Sequence, residues 1–460
     1  MTVLAFLGAL GLLITVHEWG HYRVAVACGV KVLTFSIGFG QPLLRWRSRQ
    51  PRPGQNTEFV IGLIPLGGYV KMLDENEAEV GPDEVAMAFN RQSLRVRAAI
   101  VSAGPLANLL LAVLLYAATF WIGQYETRAM VASPVVDSMA DRAGLKSADL
   151  ILRAGTSAQS LQDIASMEDL RWWVSQQDLT HDHLWLEVQS LSERGTHLLT
   201  LEPLLNDDAV NPPPSGLLAM GLAGAWSRAV LGDLAPDGAA AQAGLQRGDE
   251  VLRIDGRVVQ DATALRAMVR ESGVSHAPSP QLWQVQRAQQ DVLTIAVTPQ
   301  WVHEGTQQFG RIGAQVGEPP AKRWVQYGVI EGLLRAVTRT GEMVGMTVEM
   351  LGRLVIGQAS LDHLSGPLTM ADYAGRTASL GLGAYLSYLA LLSVSLGVFN
   401  LLPLPVLDGG HLLYYLYEAF TGRPPAVQWL DVMQRVGLAF LVALMVLSLF
   451  NDMVHLGWLS

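Results

Sequence analysis

The sequence predicts an α-helical membrane protein with four transmembrane helices and two α+β domains inserted between the second and third. Three observations carry that prediction. Half of the 460 residues are hydrophobic, only 16% are charged, and the mean hydropathy is +0.26. Apolar runs long enough to cross a bilayer lie toward the two ends of the chain. A short pattern in the more polar middle recurs at a constant offset of 100 residues. The same composition excludes disorder for the bulk of the chain, which would need low hydrophobicity and high charge. One cysteine, Cys28, excludes an intramolecular disulfide framework and any multi-cysteine zinc or iron–sulfur site. A net charge of −9 gives no support for general nucleic-acid binding.

A span needs about 20 apolar residues to cross a hydrocarbon core of about 30 Å. Residues 1–29, 98–123 and 380–402 meet that need. The fourth, 429–452, is apolar from Val436 to Phe450 and takes in Asp431 and Arg435 only when extended back to Trp429. The first run could instead be a signal peptide, with Ala25-Val26-Ala27 before Cys28 as a cleavage site. Against that, no Lys or Arg precedes the apolar stretch, and His17, Glu18 and His21 fall where a signal peptide is apolar. Residues 30–97 carry most of the basic side chains near the spans, among them Arg45, Arg47, Arg49, Arg95 and Arg97. The positive-inside rule puts them in the cytoplasm, and both termini and the long middle segment outside.

The repeat runs over 140–153 and 240–253. Ala140, Ala143, Gly144, Leu145, Asp149, Leu152 and Arg153 recur as Ala240, Ala243, Gly244, Leu245, Asp249, Leu252 and Arg253. Asn211 to Gly216, rich in proline, reads as a stiff linker between the copies. The pattern resembles the bacterial PDZ domain, which binds extended peptides beside an edge strand. This gives PDZ-like domains at 128–205 and 216–302, the second with a helix at Ala262–Arg270 and a strand at Val292–Thr298. A duplicated structural domain without a ligand would leave the same trace. Residues 321–360 follow with apolar residues at near-helical spacing and abundant charge. They read as an amphipathic helical region, lying on the membrane surface or packed on the repeats.

The chemistry is in the first helix. His17-Glu18-Trp19-Gly20-His21 is an HExxH motif, and residues four apart on a helix share a face, so two imidazoles can hold one Zn²⁺. Glu18 lies about 100° round the helix, close enough to act on a water without being a ligand. Each ionisable group in a membrane helix costs roughly 2.5–3.5 kcal/mol. Three in five residues call for a compensating partner, and a bound metal is one. The third ligand is sought after the third span, in residues 403–411, where Pro403 and Pro405 stop the helix and Gly409-Gly410 loosens the turn. Asp408 is the carboxylate there. His411 is the rival ligand, and a solvent-exposed helix N-cap is the other role open to Asp408.

HExxH in the first span, Asn400-Leu401-Leu402-Pro403-Leu404-Pro405-Val406-Leu407-Asp408-Gly409-Gly410 after the third, and tandem PDZ-like copies together resemble the site-2 protease family. The resemblance covers the whole chain. It extends to Gly38-Phe39-Gly40, Pro65 to Lys71, Ala103-Gly104-Pro105-Leu106-Ala107-Asn108, and Ser365-Gly366-Pro367. It implies an intramembrane zinc metalloprotease of the bacterial inner membrane. His17, His21 and Asp408 would bind Zn²⁺, and Glu18 would activate water. Asn400, Pro403 and Pro405 would contact substrate. Residues 30 to 72 would form a membrane-associated β-loop, with Gly38, Phe39 and Gly40 among its substrate contacts. The implied substrates are single-span membrane proteins, such as an anti-sigma factor already trimmed by a first protease, and remnant signal peptides. The PDZ-like pair would act on the periplasmic side as a size filter. Two other readings stay open: a non-catalytic PDZ scaffold, which leaves the His-Glu-His cluster unexplained, and a metal transporter, for which the second helix has few polar groups.

Overall fold

A computed structural model of the chain describes residues 2–49, 54–75, 80–179, 181–191, 195–203, 216–274, 277–288, 292–304, 307–356, 366–423 and 425–455. The chain forms two compact units, one of residues 1–124 and 326–460, the other of residues 125–325. The expected linker at 211–215 and Ser365 lie outside the described residues.

Among the described residues the first unit holds four helices long and apolar enough to cross a membrane. They are α1 (Thr2–Ala27), α2 (Leu94–Ile122), α9 (Leu382–Asn400) and α11 (Val427–His455). The last is longer than expected, 29 residues, because it takes in polar residues at both ends. α2 continues through Pro105. Gly123 ends it at φ 91°, a conformation that a residue without a Cβ adopts cheaply. Between α1 and α2 runs a long antiparallel hairpin, β1 (Val32–Arg47) and β2 (Glu58–Met72), with Phe35 opposite Val70 and Trp46 opposite Phe59. Bulges interrupt its register near Gly38, which has φ 89°. Leu43, Leu44, Trp46, Leu63 and Ile64 are exposed along it.

The remaining helices of this unit are α7 (Val329–Val355), α8 (Pro367–Leu380) and α10 (Asp408–Thr421). α7 starts later than the amphipathic region was expected to. Gly328 is its N-cap, and Lys322–Val325 is extended instead. The buried core joins Ala112, Leu115 and Tyr116 of α2 to Leu389, Ala390 and Val394 of α9 and Ala336 of α7.

In the second unit the two copies build matching four-stranded sheets. Those of the first copy are β4 (Leu150–Gly155), β5 (Gln162–Asp163), β6 (Leu184–Gln189) and β7 (Thr196–Leu201), ordered β5-β4-β6-β7. In the second, β9 (Glu250–Ile254), β10 (Arg257–Val258), β11 (Gln281–Gln286) and β12 (Val292–Val297) are ordered β10-β9-β11-β12. Helix α4 (Met167–Ser175) crosses the first copy and α6 (Ala262–Glu271) the second, each N-capped by its own side chain, Ser166 and Asp261. The conserved spacing has a physical basis in hydrogen bonds that also recur. Leu145 N–H donates to Ala140 as Leu245 does to Ala240, and Val131 N–H to Asp149 as Leu231 does to Asp249.

The residues that complete each copy lie beyond the expected boundaries at 205 and 302. Ala140 N–H donates to Met220 O, and Ala240 N–H to Ile312 O. Met220 and Ile312 are therefore equivalent, each followed by a glycine with positive φ, Gly221 at 89° and Gly313 at 67°. In the first copy a 3₁₀ turn, Gly216–Leu218, precedes this segment, and Leu217, Met220 and Leu222 are buried in the core. The stretch after Gly221 returns beside Val131, Val135 N–H donating to Gly221 O as Ala235 N–H does to Gly313 O. In the second it is a strand, β15 (Ala314–Val316), paired with β8 (Leu231–Leu234). A cleft of about 630 Å³ opens there, lined by Arg266 and Arg270 of α6, Phe309, Ile312 and β15.

Candidate metal centre

The HExxH helix meets α2 at close range because of glycine. A Cβ on Gly20 would stand 2.4 Å from Ala103 O, and one on Gly104 would stand 2.2 Å from His21 Nε2. Either side chain would push the helices apart or displace an imidazole. His21 is 8% exposed and its Nδ1–H donates to Ile100 O at 2.8 Å, which turns Nε2 outward with its lone pair free. His17 lies one turn back, its Nε2 3.2 Å from that of His21.

Asp408 completes the cluster. It is the first residue of α10, just after its N-cap Leu407, so it is not the N-cap itself. Gly409 and Gly410 do not loosen the turn. They lie in the first turn of α10, buried, where a Cβ would come 2.2 Å from Leu402 O or Leu404 O. The glycine pair allows this helix to fold back onto the loop that precedes it. Asp408 Oδ2 stands 3.2 Å from His17 Nε2 and 3.5 Å from His21 Nε2.

A triangle with these sides has a circumradius of about 1.9 Å, so a point just off its plane lies about 2.0–2.1 Å from every corner, as Zn²⁺ requires. Asp408 Oδ2 is buried and has no hydrogen-bond partner. Three such atoms brought this close, one of them without a hydrogen bond, fit a cation. Among the described residues this is the one group of three or more His, Cys, Asp or Glu side chains able to hold a metal ion.

A cavity of about 540 Å³ opens on the cluster, lined by His17, Glu18, His21, Asn400, Asp408 and His411, with Gly68 to Met72 of β2 along one wall. Glu18 faces β2, where a Cβ on Gly68 would come 2.9 Å from its Cγ. His411 shares the cavity but is not one of the three converging groups. Burial pushes its imidazole below the usual range despite the nearby Asp408 carboxylate.

The other expected contacts divide. Asn400, the last residue of α9, lines the cavity. Pro403 and Pro405 do not; Pro405 packs instead toward Gly437 of α11, whose Cβ would stand 3.3 Å from it. Gly38, Phe39 and Gly40 also lie off the cavity, Phe39 stacked on Tyr69 with centroids 6.1 Å apart. The hairpin reaches the site through Gly68 to Met72 of β2, while the Thr34–Ile37 part of β1 lies between that stretch and Glu58–Ile61. Sequence reasoning missed Asn108, whose Nδ2 lies 3.2 Å from His17 Nδ1. A fully polar amide in an otherwise apolar span was the signal that could have found it.

Comparison with known proteins agrees with this geometry. The family model described as Peptidase family M50 matches residues 5–444. The regulator of sigma-E protease RseP of Salmonella typhimurium is 38% identical over 462 residues, 98% of each chain. Its namesake in Escherichia coli K12 is 37% identical over the same length and shares. A protein of Ralstonia nicotianae that is assigned by name to the zinc metalloproteases is 35% identical over 464 residues, 99% of each chain.

Proposed function

The chain belongs to peptidase family M50 and is a zinc metalloprotease, and from that premise we propose that it hydrolyses a peptide bond within or beside the transmembrane segment of single-span membrane proteins. The observation that carries this reading is the convergence of His17 Nε2, His21 Nε2 and Asp408 Oδ2 in a cavity lined by helices of membrane-spanning length. These three residues would hold Zn²⁺, leaving a fourth position open to the cavity. When bound, zinc supplies a water of pKa about 7 and polarises the scissile carbonyl.

The chain's own residues do the rest. Glu18 accepts the proton of the attacking water and passes it to the leaving amine. Asn400, at the mouth of the cavity, hydrogen-bonds the unwound substrate backbone, and β2 from Gly68 to Met72 offers an edge for it to lie against. A helical substrate has its carbonyls already bonded, so pairing with an edge compensates their release. The apolar side chains exposed along the hairpin suit a position in the bilayer surface. The two copies, read as PDZ-like domains, gate access on the periplasmic side of the inner membrane and do no chemistry, since every candidate ligand lies outside them. The cleft beside β15 is the place where the second copy would take an extended peptide. Substrates would be anti-sigma factors trimmed by another protease, and remnant signal peptides.

The test is cleavage of single-span reporters by the purified chain with and without a zinc chelator. Cleavage abolished by the chelator and restored by Zn²⁺ supports the reading; cleavage indifferent to it contradicts the reading.

A further inference from the structure

Asn108 sits in α2, one turn beyond the Gly104 that makes room for the two imidazoles, and is 0% exposed. Its Nδ2 stands 3.2 Å from His17 Nδ1, and its Oδ1 is buried without a partner. A buried amide in an apolar span is costly unless it bonds.

The two histidines are supported from the same helix in different ways. His21 faces the Ile100 carbonyl, which can only accept, so its proton is fixed on Nδ1. His17 faces an amide, which can accept with its oxygen or donate with its nitrogen. With NH₂ toward Nδ1, the His17 proton would sit on Nε2, the atom 3.2 Å from Asp408 Oδ2. That nitrogen could not then offer a lone pair to an ion. Turning the amide by 180° exchanges its two ends at nearly the same positions. The oxygen then accepts from Nδ1–H, and Nε2 is free to bind.

We propose that Asn108 is a positioning residue of the metal centre, whose side-chain oxygen holds the Nδ1–H of His17 when the ion is bound and whose NH₂ matches the other tautomer when it is not. Metal-bound histidines generally donate their second N–H to such a partner, and its loss typically costs 10–100-fold in metal affinity. α2 thereby serves both imidazoles: Ile100 fixes one, Asn108 adapts to the other. The inference rests on the reading of His17, His21 and Asp408 as the zinc site.

The experiment is a Zn²⁺ titration of the metal-free full-length chain in detergent against a competing chelator. Wild type should bind one ion. Asn108→Leu keeps the volume but offers no acceptor, and should bind about 10–100-fold more weakly. Asn108→Asp keeps an acceptor oxygen and should bind at least as tightly as wild type. Asn108→Ala replaces the leucine variant if that one does not fold. Undiminished affinity without the acceptor, or an aspartate variant as weak as the leucine one, overturns the assignment. Failure of wild type to bind zinc would overturn the metal reading on which it rests.

Discussion

The two units of the molecule bury carboxylates on different terms. In the repeat unit each buried aspartate is satisfied. Asp249 accepts from Gln246 N–H and twice from Arg287, and Asp149 from Lys146 N–H and Ser190. Asp261 caps α6 and also accepts from Ser133 and Ser147 of the first copy. The helical unit has one of the same kind, Asp452, which accepts from Gly366 N–H and from both the N–H and the hydroxyl of Thr369. Asp408 is the exception, with a buried oxygen aimed at two histidine nitrogens and no hydrogen bond made to it. A buried polar group with all its bonds made explains structure. One left unmet, against two histidines of a span, points to an absent partner.

The contrast can be broken first at its exceptional member. Asp408→Ala should abolish cleavage and lower bound zinc as far as His17→Ala does, whereas His411→Ala should retain the metal. Metal analysis of the purified variants decides it, and full occupancy in Asp408→Ala would return the third position to His411.

The satisfied aspartates should behave differently. Asp249→Ala leaves Arg287 half-paired and should destabilise the second copy by about 2–3 kcal/mol without changing zinc content. Hydrogen exchange of β9 and β11 in the full chain would measure the first effect. The same pair predicts acid sensitivity. Burial raises the Asp249 carboxyl, but the Arg287 guanidinium and the Gln246 N–H together outweigh it and hold the group below the usual carboxylate range. A carboxyl depressed in the folded state contributes stability above its unfolded pKa and loses it as pH falls through the folded value. Protection of the second copy should therefore drop on acidification, and less so in Asp249→Asn.

At the far end of the scale lies the exposed pair Arg353 and Glu349 on α7. Arg353→Ala should shift thermal stability by under about 0.5 kcal/mol. A larger loss would mean that exposure is a poor guide to which polar contacts matter in this chain.

Much of this was legible in the sequence where the signal is local. Helical spacing put His17 and His21 on one face, and apolar length located the long helices. Asp408 stands out as the carboxylate in the proline-broken segment after the third span, where a third ligand is sought. What escaped depends on contacts between distant segments. The constant offset of 100 ends before Met220 and Ile312, so nothing in the sequence marks the stretch from 216 as closing the first copy rather than opening the second, or the stretch after 302 as closing the second. The glycines at 409 and 410 read as flexibility, because only the folded loop shows the carbonyls that exclude a Cβ. Gly38 to Gly40 are substrate contacts by resemblance alone, and the pairing that sets Gly68 to Met72 along the cavity cannot be read from either strand by itself.

The central claim is that Glu18 works on water beside a metal held by His17, His21 and Asp408. Gln matches the shape of Glu but cannot take up a proton. The direct measurement is zinc content and cleavage rate of Glu18→Gln on one single-span substrate. The account predicts full zinc occupancy and a rate lower by at least about 10²–10⁴. A zinc-loaded Glu18→Gln chain that cleaves at nearly the wild-type rate would contradict it.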